Sequence, residues 1–518
     1  MDYIVDISVS GFSYPQVEVA VHRTEHQRPI SNSVKQRGSI SAMDLHGKKI
    51  ALLGFGVTGR SCAKYLLTKD CELSVFDSQT FKESCTSSDA VKAIPIYSLN
   101  EKTSLVTFDL IVVSPGINLN QAYLQDAINA GIHVIGDIEL FALALIDLPQ
   151  IPKIIAITGS NGKSTVVDML HKAISDCGFN VALGGNFGPP VLDMLSENYT
   201  CLEYDYLVLE LSSFQLESTY SLCPNIASVL NVTSDHMDRH GNMHAYTEAK
   251  QGIYMHAERV IYNREDDLTI PQCKADFNVN AREQSANIRS FGLTQTTNSL
   301  DYWQNREGIF QGENQLLSRS DIEGISQYQL LNMQVVLACC EYLGLLNDDN
   351  ANDKSFRHLV LTSLLNYSGL PHRFKTIYQD KHVSWINDSK ATNAGAAAAA
   401  IKSVAEQNAR LILIAGGDAK GASASEFESV KRLISSHVET LILIGRDANL
   451  FVGTSALTRH AADLSEAVEI AKNDVYQSKV VTKTIVLLSP GCASFDMFDS
   501  YVHRGNVFTK LVLGQVAA

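Results

Sequence analysis

The chain is 518 residues long, 45% hydrophobic and 19% charged, with a formal net charge of -14. A chain of this length overfills one hydrophobic core, so roughly three domains are expected, and the composition is that of an ordinary globular protein, which excludes a disordered or fibrous one. The acid excess excludes non-specific nucleic-acid binding, which needs lysine and arginine to neutralise phosphates.

At the start, Tyr3-Ile4-Val5-Asp6-Ile7-Ser8-Val9-Ser10 alternates apolar and polar residues, and a polar tract with Pro29, Ser31, Asn32 and Ser33 follows without periodicity. Residues 1–42 read as an appendage of unknown role, and a chain starting at Met43 is expected to fold and act. No basic region followed by an apolar core opens the sequence, and no apolar run approaches the roughly 20 residues needed to cross a bilayer. The expected setting is the cytoplasm, with no transmembrane segment. The ten cysteines are single apart from Cys339-Cys340 and lack Cys-x-x-Cys spacing, so they read as reduced core thiols.

Over 43–150, apolar runs at 49–53, 72–76 and 109–113 alternate with helical patterns such as 120–130, the mark of parallel βαβ units. Gly54-Phe55-Gly56-Val57-Thr58-Gly59 follows the first of these strands, with Asp77 and Ser78 downstream, and by itself suggests a dinucleotide cofactor. Ser114-Pro115-Gly116-Ile117 follows a later strand and alone is only a turn.

The second series, 151–367, opens on the apolar run 153–158 and carries the strongest single signal, Thr158-Gly159-Ser160-Asn161-Gly162-Lys163-Ser164-Thr165, before a helix beginning near 163. Glycines let successive N–H groups and the helix N-terminus face phosphate oxygens, Lys163 adds charge, and Ser164 or Thr165 can ligate magnesium. The strict eight-position pattern would place glycine at Ile157, so this loop is a compact variant. Gly184-Gly185-Asn186-Phe187-Gly188 reads as a turn. Glu210, in 209–216, ends the apolar strand 206–211, where a carboxylate suits magnesium bridged to phosphates or stands as a solvated strand end. Asn231-Val232-Thr233-Ser234-Asp235-His236-Met237-Asp238-Arg239-His240, after the strand 226–230, is either a metal site or a hydrogen-bond network. Lys250, in Tyr246-Thr247-Glu248-Ala249-Lys250, reads by itself as helix surface. A helical stretch near 326–345 and the polar string 347–353 close the series.

In the third series, 368–518, strands are expected at 383–387, 411–415, 440–444 and 484–489, again in α/β rhythm. It contains Gly369-Leu370-Pro371-His372-Arg373-Phe374, Asn387-Asp388-Ser389-Lys390-Ala391-Thr392-Asn393, Gly416-Gly417-Asp418-Ala419-Lys420-Gly421, the segment 488–498 with Ser494 and Phe495, and Arg504-Gly505-Asn506-Val507-Phe508.

From about residue 43 to the C-terminus, the order and spacing of these segments resemble the Mur ligase family, whose compact phosphate loop is shared with its folylpolyglutamate synthetase relatives. The resemblance implies an α/β fold of three domains: a Rossmann-like N-terminal domain binding a UDP-linked substrate, a central P-loop ATPase domain, and a Rossmann-like C-terminal domain carrying the amino acid. It implies ATP and Mg2+ as cofactors. It also implies an amide bond made, in peptidoglycan synthesis, between UDP-N-acetylmuramoyl-L-alanine and D-glutamate through an acyl phosphate, by a chain acting as a monomer.

Under that resemblance Gly159, Asn161, Gly162, Lys163, Ser164, Thr165, Asn332, Arg373 and Asp388 would bind ATP, with Asn186 near the reacting phosphate. Ser164 and Glu210 would hold one magnesium, and His236 with a carbamylated Lys250 a second. Val57, Thr58, Asp77, Ser78, Ser114 and Gly116 would bind the UDP substrate. Lys420 would pair with a carboxylate of D-glutamate, and Ser494, the backbone around Phe495, and Thr392 would receive the rest. Tyr328-Gln329 replaces the histidine-asparagine common in the family, while Asn332 keeps its place.

Overall fold

The computed structural model describes residues 44–78, 94–196, 198–272, 287–346, 355–405, 407, 409–454, 456–477 and 483–514. The appendage 1–42, Met43 and the polar string 347–353 lie outside them. The described residues all fall within the larger of two contact-defined units, 42–518.

Three sheets make up the larger unit. The first comprises β1 (Lys49–Leu53), β2 (Glu72–Asp77), β3 (Ile96–Ser98), β4 (Leu110–Val113) and β5 (His133–Gly136), in the order β3-β2-β1-β4-β5. All its pairings are parallel. β1 is buried from Ile50 to Leu53, as expected of a strand covered by helices on both faces. The order steps from β1 outward in both directions, which opens a crevice at the carboxyl ends of β1 and β4, the usual ligand position in such sheets.

The second sheet is built from β6 (Lys153–Thr158), β7 (Val181–Gly185), β8 (Tyr206–Glu210), β9 (Ile226–Val229), β10 (Arg259–Asn263), β11 (Ile288–Gly292), β12 (Tyr302–Asn305), β13 (Gly308–Gln311) and β14 (Asn314–Ser318). Its order is β14-β13-β12-β11-β10-β9-β6-β8-β7. β6 lies between β8 and β9, both parallel to it, so the ends of β6, β8 and β9 sit side by side. The β12-β13-β14 meander is antiparallel and was not expected from the apolar pattern. Helix Lys163–Asp176 buries Val166, Val167, Leu170, Ala173 and Ile174, positions at helical spacing that form one stripe against the sheet and against helix Gln327–Tyr342.

The third sheet has β15 (Lys375–Gln379), β16 (Val383–Asn387), β17 (Arg410–Gly416), β18 (Thr440–Ile444), β19 (Leu457–His460) and β20 (Thr484–Leu488), ordered β15-β16-β20-β17-β18-β19. Only β15 runs antiparallel, at the edge. No described helix is long and apolar enough to cross a membrane. The three α/β sheets match the expected fold class, and the third is tied to the second by the polar contacts described next.

Candidate active site

The ends of β6, β8 and β9 deliver the phosphate loop, Glu210 and the 231–240 segment to one place. Gly162 adopts a left-handed conformation, φ 86°, as N-cap of helix Lys163–Asp176, a geometry glycine reaches without strain. A Cβ there would stand 3.0 Å from Asn332 Oδ1, so the turn also has to be bare for helix Gln327–Tyr342 to approach. The loop is braced from below. Ser160 Oγ donates to Thr233 O at 2.8 Å and accepts from Thr233 N at 2.9 Å, while Asn231 Oδ1 accepts from Asn161 N at 2.8 Å.

Lys163 Nζ lies across the loop, donating to Gly159 O at 2.7 Å and Ser160 O at 3.1 Å. Burial lowers its pKa, opposed by Glu210 and Asp235. At the helix start Ser164 Oγ donates to Glu210 Oε2 at 2.5 Å, and Glu210 Oε1 accepts from Asn186 Nδ2 at 2.7 Å. Arg373 reaches over from the third domain and donates from Nη2 to Ser164 Oγ at 2.6 Å. Thr165 follows, half-buried, in the first helical turn.

Ser164 and Glu210 thus present hard oxygen donors at the mouth of the phosphate loop. Among the described residues no group of three or more His, Cys, Asp or Glu side chains could hold a metal ion. The oxygen pair of Ser164 and Glu210 suits magnesium, which takes one or two protein oxygens and completes its shell with phosphates and water.

Lys250 is not helix surface. Its side chain is buried, with Nζ donating to Gly159 O at 2.9 Å and lying 4.5 Å from the Tyr246 ring centroid. Burial pushes its pKa well below that of an ordinary lysine, and the charge of Lys163 adds to the effect. No hydrogen bond joins Lys250 to His236 among the described residues. His236 occupies left-handed backbone, φ 58°. Its pKa is lowered to about 4, chiefly by burial, so the imidazole is neutral at physiological pH.

The third domain closes on this centre. Lys420 Nζ contacts Asp235 Oδ1 at 2.6 Å. Asn393 Nδ2 donates to Asp235 Oδ2 at 3.0 Å and to Asn161 Oδ1 at 3.3 Å, and Ser234 hydrogen-bonds Glu426. Burial works against ionisation of Asp235, yet Lys420 and His236 hold its pKa at about 2. Thr392, Lys420, Asp235 and His236 line one cleft between the domains. Ser494, buried, and Phe495, 71% exposed, do not line it. They are held to the Lys420 loop through the backbone bridge of Asp418 with Ala493. Asp388 accepts from Phe374 N at 3.0 Å and Ser489 Oγ at 2.9 Å, and burial raises its pKa to about 7.

In the first domain, Asp77 Oδ2 accepts from Phe55 N at 2.6 Å and Ser114 Oγ donates to Gly54 O at 2.9 Å, fixing the glycine turn from both sides. A Cβ on Gly59 would stand 1.9 Å from Gly54 O, so the turn excludes any other residue there. Val57, Ser78 and Gly116 face solvent and Thr58 is half-buried, leaving the crevice open.

Four residues gain importance that their local sequence did not give them: Asp235, Asn393, Tyr246 and Lys390. Tyr246 bonds Ser160 Oγ at 2.9 Å. Lys390 stands 4.0 Å from the Tyr501 ring centroid, and burial, with Arg373 and Lys163 nearby, lowers its pKa to about 8. The adjacency of Asp235 to His236 and of Lys390 to Asp388 was the available signal.

Family models match along the chain: Mur ligase MurD-like, N-terminal domain, at 48–136; Mur ligase middle domain at 157–340; and Mur ligase, glutamate ligase domain, at 372–491. A UDP-N-acetylmuramoylalanine--D-glutamate ligase of Legionella pneumophila (strain Lens) is 39% identical over 476 residues, covering 89% of this chain and 98% of that one. The enzyme of the same name from Pseudoalteromonas translucida (strain TAC 125) is 35% identical over 474 residues, covering 91% and 98%. Among solved structures, the UDP-N-acetylmuramate-alanine ligase MurC of Thermotoga maritima aligns with TM-score 0.51 at 15% identity, covering 90% of this chain and 100% of that one. The MurF ligase of Thermotoga maritima in complex with ADP gives 0.52 at 16%, covering 92% and 98%. These distant structures share the fold.

Proposed function

The chain belongs to the Mur ligase family, and on that premise we propose that it joins the carboxylate of UDP-N-acetylmuramoyl-L-alanine to the amine of D-glutamate, consuming ATP and releasing ADP and phosphate in peptidoglycan synthesis. The observation that carries this reading is the convergence of Ser164, Glu210, Asn186 and Arg373 at the phosphate loop, with Lys420 brought to Asp235 in the adjoining cleft.

A carboxylate is a poor electrophile, and making an amide from it requires a leaving group. Its oxygen attacks the γ-phosphorus of ATP, ADP departs, and the resulting acyl phosphate is attacked by the free amine, which expels phosphate and loses a proton. Lys163 and Arg373 supply fixed positive charge where the transferring phosphoryl becomes more negative. Magnesium, held by Ser164 and Glu210, would neutralise phosphate charge. Lys250, buried beside Lys163, has its pKa lowered by burial, which favours the free amine that adds carbon dioxide, and the resulting carbamate would be an anion suited to a second metal next to His236. Asn332 lies against Gly162, and Asp388, from its buried pocket, would accept from the nucleotide's ribose.

Lys420 and Thr392 would receive one carboxylate of D-glutamate, with Ser494 and the backbone at Phe495 taking the other. The open turn at 54–59, with Val57, Thr58, Asp77, Ser78, Ser114 and Gly116, would hold the diphosphate and uridine. Contacts from Asn393, Lys420 and Glu426 close the third domain over the centre, which keeps water from the acyl phosphate. A monomer acting in the cytoplasm completes the reading.

The test is ADP formation by purified protein with magnesium, ATP, the UDP-muramoyl substrate and D-glutamate. Release that requires both acceptors supports the reading, and a panel of amino acids fixes the specificity. Protein that never generates ADP under these conditions overturns it.

A further inference from the structure

A cluster of aromatic and charged side chains outside the roles given above lies against His236. That residue caps helix Met237–His240 from left-handed backbone, and its side chain makes no capping hydrogen bond. The backbone therefore fixes where its Cβ stands, and the orientation of the imidazole is left to its neighbours, among them Asp235 Oδ2, 3.7 Å from Nε2. Phe214 meets it edge-on, with ring centroids 4.9 Å apart at 66°.

Phe214 is itself clamped. His240 stacks on it at 5.5 Å and 21°, and the Arg239 guanidinium lies 4.7 Å from its centroid. Both clamps converge on one carboxylate: Arg239 Nη2 lies 3.0 Å and His240 Nδ1 3.1 Å from Glu217. The other nitrogen of His240 is 3.0 Å from Ser213 Oγ. Phe214 belongs to the short helix Ser213–Leu216, whose start is locked by a capping box between Ser212 and Gln215. Glu210 leads directly into that turn, so both prospective metal residues take their position from the same few residues.

We propose that Phe214 is a positioning residue for the metal site: its ring holds the His236 imidazole in its working orientation, and Glu217, through Arg239 and His240, holds the ring. This rests on the ligase reading of His236. Arg239 and His240 both pack on Phe214, and His240 also packs on Tyr246 at 5.0 Å; their contribution through Phe214 is orientation, as expected of groups that support a metal ligand from behind.

The test uses the full chain with Mn2+ as probe. Its binding is followed by electron paramagnetic resonance in the presence of a non-hydrolysable ATP analogue, alongside the Mg2+ dependence of ADP release. Phe214→Leu, which keeps apolar bulk and removes the ring edge, is expected to weaken Mn2+ binding roughly tenfold, the lower end for loss of such support. The Mg2+ concentration for half-maximal rate should rise in step, with the KM for D-glutamate unchanged, and Phe214→Tyr should restore both. Wild-type Mn2+ affinity in a folded Phe214→Leu chain, or a loss that Phe214→Tyr does not restore, overturns the proposal. If Phe214→Leu does not fold, His240→Phe keeps a ring on Phe214 and removes its ties to Glu217 and Ser213; weakened Mn2+ binding supports the proposal and unchanged binding overturns it. Wild-type protein that binds Mn2+ but forms no ADP refutes the ligase reading instead.

Discussion

Lys163 lies folded across its own loop, its ammonium on two backbone carbonyls. Such a group is poised to shift onto phosphate as those carbonyls turn away, and loss of one charge-stabilising group typically costs about 3–4 kcal/mol of barrier. Lys163→Ala should therefore slow ADP formation by two to three orders of magnitude, roughly; near-normal turnover would contradict its role. Asp137 offers a contrast of sign. It is 2% exposed, one oxygen accepts from Gln215 Nε2 at 3.0 Å, and the other has no partner. Burial raises its pKa from 3.8 to about 6. A carboxyl with a raised native pKa is easiest to accommodate below its unfolded value, and that advantage is lost as pH climbs through the native one. Asp137→Asn should thus gain stability relative to the parent as pH rises from about 4 to above 6, by on the order of 3 kcal/mol for a shift of this size. Urea denaturation across that range measures it, and a pH-independent difference would exclude the assignment.

At the scale of elements, the glycine turn between β1 and the helix Val57–Leu67 is the sharpest case. A methyl group at position 59 collides with Gly54 O, so Gly59→Ala must distort the turn. The KM for the UDP-linked substrate should rise while that for ATP stays put; equal changes would mean the turn serves the whole fold. This turn and the phosphate loop were legible in the sequence because backbone geometry demands glycine at set offsets between a strand and a helix. The β12-β13-β14 meander was not legible, and the reason is visible in Gln304. A buried polar residue breaks the alternation that marks a strand, and it is tolerated because both ends of its amide are partnered: Gln334, from helix Gln327–Tyr342, donates to it at 2.8 Å and it donates to Gln327 O at 3.4 Å. Lys250 misled in the same way, since a lysine in a helix reads as surface until tertiary packing covers it.

At the scale of the whole molecule, every described residue, from Asp44 onward, lies within one compact unit. A chain starting at Met43 should therefore keep the parent's melting temperature and ADP release; loss of either would give residues 1–42 a part in the fold or the chemistry. Three α/β domains could be read from the rhythm of apolar runs, because the central strands such as β4, β8, β18 and β20 are buried along their whole length and need an unbroken apolar stretch. The meeting of domains could not. Lys420 and Asp235 are 185 positions apart, and only closure of the third domain makes them neighbours. Lys420→Ala should accordingly raise the KM for D-glutamate more than that for ATP, as expected when the lost contact serves one substrate.

If Lys420 receives D-glutamate as proposed, its ion pair with Asp235 means that the arriving amino acid does not meet a bare cation. Its carboxylate has to take Lys420 from an acid that is already there, and the displaced Asp235 then needs a positive neighbour of its own. D-glutamate brings one in its ammonium group, so the exchange conserves charge balance in the cleft. Glutarate, which has the two acids but no nitrogen, would strand Asp235, and it should therefore compete poorly against D-glutamate in a binding assay even though it fits the same space.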